Sequence, residues 1–249
     1  MTHAIRLISA AVVAACFGAS AVADTVKLAG ATTVVNVVIN PNRSAVEKST
    51  GHTLEVVGNA TGKGMVDLSD NKADAAMVSE PMDIAVTAAE AAGKKLDPSK
   101  FQMHELRKDE IVFLVHAANP VTKLTFAQLS DIHTGKITNW KQVGGKDQSI
   151  TVYSDAVTGG TRAMIKKVVM NGSEYGGSVK SLTSVSRIAE LVPGDESAIG
   201  ALGKGFVKSD GKSRIVETTK IERPLAIVTY GNPQPKVQQV IDAFRAAAK

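Results

Sequence analysis

The sequence predicts an α/β fold: an open sheet whose ligand lies beyond the carboxyl ends of the strands, divided into two lobes that face each other across a cleft. Three observations carry this. Short β-branched or apolar runs alternate with helical patterns along the whole chain. Run after run empties into a turn of small, hydroxyl or carboxylate residues, as in open α/β sheets that bind ligands outside their strand ends. These turns also fall into an early group (Thr32, Asn59, Ser79) and a late one (Thr158, Thr161), one for each wall of a cleft.

Taken in order, Thr25 to Ala29 alternates as a short strand and runs into Gly30-Ala31-Thr32-Thr33 ahead of an apolar helical pattern at Val34, Val35 and Val38. Pro41 is expected to kink or end that helix, with Asn42 or Ser44 restarting it and Gly51 closing it. Leu54 to Val57 is a strand that opens into the Gly-rich turn Gly58 to Gly64. Ala75 to Val78 is another strand, ending at Ser79-Glu80, with Pro81 holding Glu80 in an extended or turn conformation. A helix follows over Ile84 to Ala92.

Phe101 to Arg107 and Ile111 to His116 read as two strands, the second a continuous apolar run suited to a buried position. Thr125 caps a helix bearing Phe126, Leu129 and Ile132, and Trp140 anchors the loop His133 to Gly145. Ile150 onward is a strand that hands over through Thr158-Gly159-Gly160 to a helix starting near Thr161. Ser184 caps a short helix to Leu191, and strands are expected over Ala198 to Leu202, Ser213 to Glu217 and Leu225 to Tyr230. Pro235 opens a last amphipathic helix with Val237, Val240, Ile241 and Phe244 on one face.

With 249 residues, 44% of them hydrophobic, the chain is long enough for one large core or two smaller ones. The apolar stretch Leu7 to Gly18 followed by Ala21-Val22-Ala23 reads as a secretory leader over 1–23, with the mature chain starting near Asp24. Val13-Ala14-Ala15-Cys16 also resembles a lipobox that would anchor the chain through Cys16; the A-x-A cut is favoured over it. Cys16 is the only cysteine, so the mature chain is expected to lack disulfides, a cysteine nucleophile and thiolate metal ligands. The net charge of +5 is spread over scattered lysines with few aromatics, which argues against a nucleic-acid partner.

The turn at Thr158 to Arg162 is the chemical centre. A helix start offers unpaired N–H groups and a positive dipole end, which favour an anion. Thr158, Thr161 and the Arg162 guanidinium add donors that suit a tetrahedral oxyanion. An ordinary capped helix start fits those residues equally well. Gly58 to Gly64 resembles a P-loop but has three residues between its glycines and Gly64 where the magnesium hydroxyl belongs, which disfavours NTP hydrolysis. The histidines (His3, His52, His104, His116, His133) show no metal-binding spacing, and no G-x-S-x-G is present, so neither a metal, a cofactor nor an enzyme activity is expected.

These residues resemble a known family. G-A-T-T-V at Gly30, the block Lys72 to Met82, the block Val112 to Leu129, I-H-T-G-K-I-T-N-W-K-x-V-G-G at Ile132 to Gly145, and T-G-G-T-R at Thr158 are similar to the periplasmic phosphate-binding proteins of ABC transporters. The resemblance implies a two-lobed type II periplasmic-binding-protein fold. Lobe 1 would comprise residues 24–110 and 218–249, and lobe 2 residues 111–217, with a ligand cleft between them. It further implies capture of inorganic phosphate by a chain expected to be a monomer, and delivery to a membrane permease of an ABC transporter. Another small oxyanion, a phosphorylated compound, or a secreted phosphatase-like activity are the alternatives.

By the same resemblance, ligand contacts fall to Ala31, Thr32, Thr33, Asn59, Thr61, Ser79, Glu80, Thr158, Gly160, Thr161 and Arg162. Glu80 stands where the family usually has Asp, as the acceptor for a proton that phosphate carries and sulfate lacks. Asp155 stands about where phosphate binders often have arginine, and Gly159 replaces the usual serine.

Overall fold

The computed structural model describes residues 24–247. The expected leader over 1–23, with Cys16, lies outside the described residues. In chain order the elements are β1 (Thr25–Gly30), α1 (Thr32–Val34), a π-helical turn (Val35–Ile39), α2 (Asn40–Thr50), β2 (Thr53–Gly58), α3 (Thr61–Ser69), β3 (Ala75–Val78), α4 (Met82–Ala91), β4 (Phe101–His116), α5 (Phe126–Thr134), β5 (Thr151–Ser154), α6 (Gly160–Val168), β6 (Lys180–Ser181), α7 (Ser186–Leu191), β7 (Ala198–Gly203), β8 (Ser213–Tyr230) and α8 (Pro235–Ala247).

The strands form a single sheet in the order β2-β1-β3-β8-β4-β7-β5-β6. β1 pairs in parallel with β2 and β3, and β5 in parallel with β6 and β7. Antiparallel β4 and β8 join the two groups. Each group is covered by helices on both faces, as parallel strands require. In the first, Leu28, Met77 and Ile227 face α2 and α8, while Ala76, Val78 and Val228 face α3 and α4. In the second, Phe113, Val115 and Ile199 pack with Ile165 and Trp140, while Val112, Leu114 and Leu202 pack with Ile188 of α7. Two groups of strands, each packed with helices on both faces and joined by one ribbon, give the two-lobed α/β architecture that the resemblance implies.

Local chemistry explains most boundaries. Thr125 and Gln128 form a reciprocal capping box at the start of α5. Ser184 Oγ accepts from the Ser186 N–H at α7. Trp140 is buried, with its indole N–H donating to the Ser197 carbonyl at 2.9 Å.

Two expectations are corrected. Pro41 does not break its helix. A π-helical turn immediately before it widens the backbone, Pro41 falls at the start of α2, and the Asn42 side-chain amide donates to the Val38 carbonyl at 2.8 Å. The four strands read at Phe101–Arg107, Ile111–His116, Ser213–Glu217 and Leu225–Tyr230 are two long ones. The charged stretches that look like breaks are cross-strand partners, with Lys108 opposite Pro224, Asp109 opposite Arg223 and Glu110 opposite Glu222. Register shifts at Glu105/Arg107 and Ile111/Phe113 let the ribbon bend without interruption.

Candidate functional site

The strand-end turns converge on one small cavity of about 10 Å³, roughly the space for the centre of a single water. Its wall is built from Ala31, Thr32 and Thr33 after β1, Ala60 and Thr61 after β2, and Ser79 after β3. The opposite wall is Asp155, Gly159 and Gly160 after β5, with Thr183, Ser184 and Val185 before α7. Ala60 reaches its place with φ +75°, a conformation unfavourable for a residue with a Cβ, while its N–H donates to the Gly30 carbonyl. The glycines of the early turn serve packing rather than phosphate. A Cβ on Gly64 would lie 2.4 Å from Gly30 Cα, and one on Gly62 would lie 2.0 Å from the Ala88 carbonyl.

Asp155 and Gly159, two of the three positions that depart from the family pattern, are packed against each other. A Cβ on Gly159 would sit 2.1 Å from Asp155 Oδ2, and one on Gly160 would sit 1.8 Å from Glu80 Oε2. The two carboxylates therefore flank the Gly159–Gly160 segment, each filling the space a side chain there would need. Asp155 accepts from the Ala156 N–H at 2.8 Å and faces the Thr161 N–H, so it occupies part of the anion seat at the start of α6. Burial pushes its carboxyl up to about 6. The negative charge of Glu80 pushes the same way, against the two backbone N–H groups and Arg223.

Glu80 is fully buried and touches the cavity wall at Ser79 and Gly160. Its Oε2 accepts from the Ser79 N–H at 3.1 Å and the Ser79 hydroxyl at 2.8 Å. Burial raises its pKa, opposed by Thr61, Ser79 and Arg223. Glu80 Oε1 and Thr61 Oγ1 are both buried without a hydrogen-bond partner in the protein. Two buried polar atoms beside one cavity are what a hydrogen-bonding ligand would satisfy.

Of the residues expected to contact ligand, Ala31, Thr32, Thr33, Thr61, Ser79 and Gly160 line the cavity, and Glu80 and Thr161 adjoin it. Three do not line it. Asn59 donates to Asp67 of α3 at 2.7 Å. The Thr158 carbonyl accepts from the Gly62 N–H across the cleft at 3.0 Å. Arg162 donates to Ser154 and Ser181 at 2.9 and 3.0 Å and lies over the Tyr175 ring. Arg162 lies in the first turn of α6, but its guanidinium is engaged by Ser154 and Ser181 and does not line the cavity.

The guanidinium at this site is Arg223 of β8, which sequence reasoning missed. It is buried, pairs with Asp109 at 2.9 Å, donates to Thr161 Oγ1 at 2.8 Å and reaches Thr33 Oγ1 at 3.5 Å. The available signal was strand parity: Ile221, Arg223 and Leu225 alternate on the inward face of β8, as Asp109, Ile111 and Phe113 do on β4. Thr183 and Ser184 were missed as wall residues as well. The walls are held together by the Gly62–Thr158 hydrogen bond, by Ser184 Oγ donating to Thr32 Oγ1 at 3.3 Å, and by an ion pair of Lys167 on α6 with Asp83 on α4. Among the described residues, no cluster of His, Cys, Asp and Glu is arranged to hold a metal, and no helix is long and apolar enough to cross a membrane.

The sequence model of a family described as the PBP superfamily domain matches residues 17–247. The chain is 27% identical over 198 residues to the phosphate-binding protein PstS of Bacillus subtilis, covering 78% of this chain and 61% of that protein. It therefore spans less than two thirds of that relative's length. Among solved structures it is similar to a putative phosphate ABC transporter substrate-binding protein with bound phosphate from Clostridium perfringens, with a TM-score of 0.76 at 24% identity over 88% of this chain and 92% of that one. It is also similar to an ABC-type phosphate transport receptor from Vibrio cholerae, with a TM-score of 0.68 at 24% identity over 89% and 93% of the two chains.

Proposed function

This chain belongs to the PBP superfamily, and from that premise we propose that it is a solute-binding protein that captures inorganic phosphate between its lobes and hands it to the permease of an ABC transporter. The observation that carries the reading is the convergence of turns from both sides of the sheet on one enclosed cavity, walled by the hydroxyl residues Thr32, Thr33, Thr61, Ser79, Thr183 and Ser184. Hydroxyls donate and accept, and a tetrahedral oxyanion with a variable number of protons is the ligand such a wall suits. The small volume favours an inorganic ion over a phosphorylated metabolite, and seating it needs the lobes slightly further apart than in this structure. The named relatives support phosphate among such ions.

In this reading residues 24–110 with 218–249 form one lobe and residues 111–217 the other. The leader directs the chain to the periplasm, and the chain binds its ligand as a monomer without performing chemistry on it. Calorimetry on protein stripped of ligand by unfolding and refolding tests it. Phosphate is expected to bind one to one while sulfate does not. Thr61→Ala, which removes a buried donor, is expected to weaken binding by about 1.5–3 kcal/mol, or roughly ten- to a hundredfold. Absence of any phosphate heat between pH 5.5 and 8 would remove phosphate as the ligand.

A further inference from the structure

The cavity region contains more negative charge than an anion receptor needs. Asp155 lines it, Glu80 touches its wall, and Arg223, whose guanidinium reaches the wall hydroxyl of Thr33, is already paired with Asp109. The other ionisable groups that share a pocket with Asp155 are Tyr153 of β5, Tyr175 from the loop after α6, Arg162, whose guanidinium is engaged with Ser154 and Ser181, and His133 of α5, which burial keeps neutral down to about pH 4. None of these lines the cavity itself, and the Arg162 charge is held outside its wall by two neutral hydroxyls. A dianion placed there would face two carboxylates across a space from which water is nearly excluded, and buried like charges are strongly unfavourable. The arrangement becomes favourable when each carboxylate meets an O–H on the ligand, since an ionised carboxylate only accepts hydrogen bonds.

We propose that Asp155 is a second proton acceptor beside Glu80, so that the cleft takes the dihydrogen form of a tetrahedral oxyanion in preference to the monohydrogen dianion. This rests on the oxyanion reading above and specifies it further. Gly159 belongs to the same device, because any side chain there would displace the Asp155 carboxylate. No bond is made or broken in the ligand. A dianion arriving from neutral solution takes up one proton as it binds, and that proton lies between a ligand oxygen and Asp155.

Calorimetric titration of inorganic phosphate into wild type and Asp155→Asn at pH 5.5, 6.5, 7.5 and 8.5 tests this, each pH in two buffers of different ionisation heat so that proton uptake is counted. Wild type is expected to lose affinity about tenfold per pH unit above pH 7, taking up protons as it binds. Asp155→Asn places an amide donor where the acceptor stood. Its pH dependence is expected to be shallower by about one proton, and at pH 8.5 it binds phosphate more tightly than wild type. A damaged fold does not produce that gain. Equal pH dependence in the two proteins, or wild-type affinity unchanged between pH 6.5 and 8.5, overturns the role of Asp155 while leaving phosphate binding intact. Absence of binding in both proteins at every pH overturns the oxyanion reading and this inference together.

Discussion

At the scale of single residues, the cleft sets ionisation against folding. Asp155 has its carboxyl raised by burial from the ordinary 3.8 to about 6. Folding therefore favours its protonated form, and the stability it contributes is complete below about pH 4 and lost as the pH rises through 6. At pH 7.5 the loss is on the order of 2–3 kcal/mol. Asp155→Asn, which keeps the shape and the acceptor for the Ala156 N–H, is expected to melt above wild type at pH 7.5 and to keep only about a third of that margin at pH 4.5. Scanning calorimetry at the two pH values checks both halves of this. Glu80 titrates in the same direction and for the same first reason, so wild type itself is expected to tolerate mild acid well.

At the scale of elements, strand-end turns and helix caps were legible because their chemistry is local. Thr125, Ser184 and Pro235 signal helix starts through contacts within a few residues, and β3 runs over Ala75–Val78 as read. The long ribbon was not legible, because Lys108, Asp109 and Glu110 read as solvated turn residues until their partners across β8 are known. Arg223 was missed for the same reason, its contacts being Thr161 and Thr33, 62 and 190 residues away in the chain. Arg162 shows the converse: its sequence position beside a glycine turn points to the anion, but its side chain folds back to β5 and β6. Ala60 is a local irregularity with a local remedy. Its φ of +75° carries strain of roughly 1–3 kcal/mol, so Ala60→Gly is expected to stabilise the fold by about 1 kcal/mol without altering the wall, as read from urea unfolding midpoints.

At the scale of the whole molecule, Arg223 ties the halves together. It lies on a strand common to both, pairs with Asp109 on the other common strand, and reaches hydroxyls on either wall. Arg223→Met leaves the Asp109 carboxylate buried without a cation, which is expected to destabilise by about 3–5 kcal/mol. Adding Asp109→Asn removes the stranded charge and is expected to recover half of that or more. Denaturant unfolding of the single and double variants measures the coupling. Phosphate affinity in the double variant stays reduced if the guanidinium orients Thr33 and Thr161, whatever stability is regained.

The position of β8 also orders events in time. It lies between β3 and β4, so both remain open edges until residues 213–230 have been synthesised. Open edges invite pairing with other chains, and pairing between strands as distant as Phe101 and Tyr230 is slow to form. The first two hundred residues therefore have no finished sheet at which to stop. For a polypeptide exported before it folds, as the leader reading has it, this strand order keeps the chain threadable almost to its end.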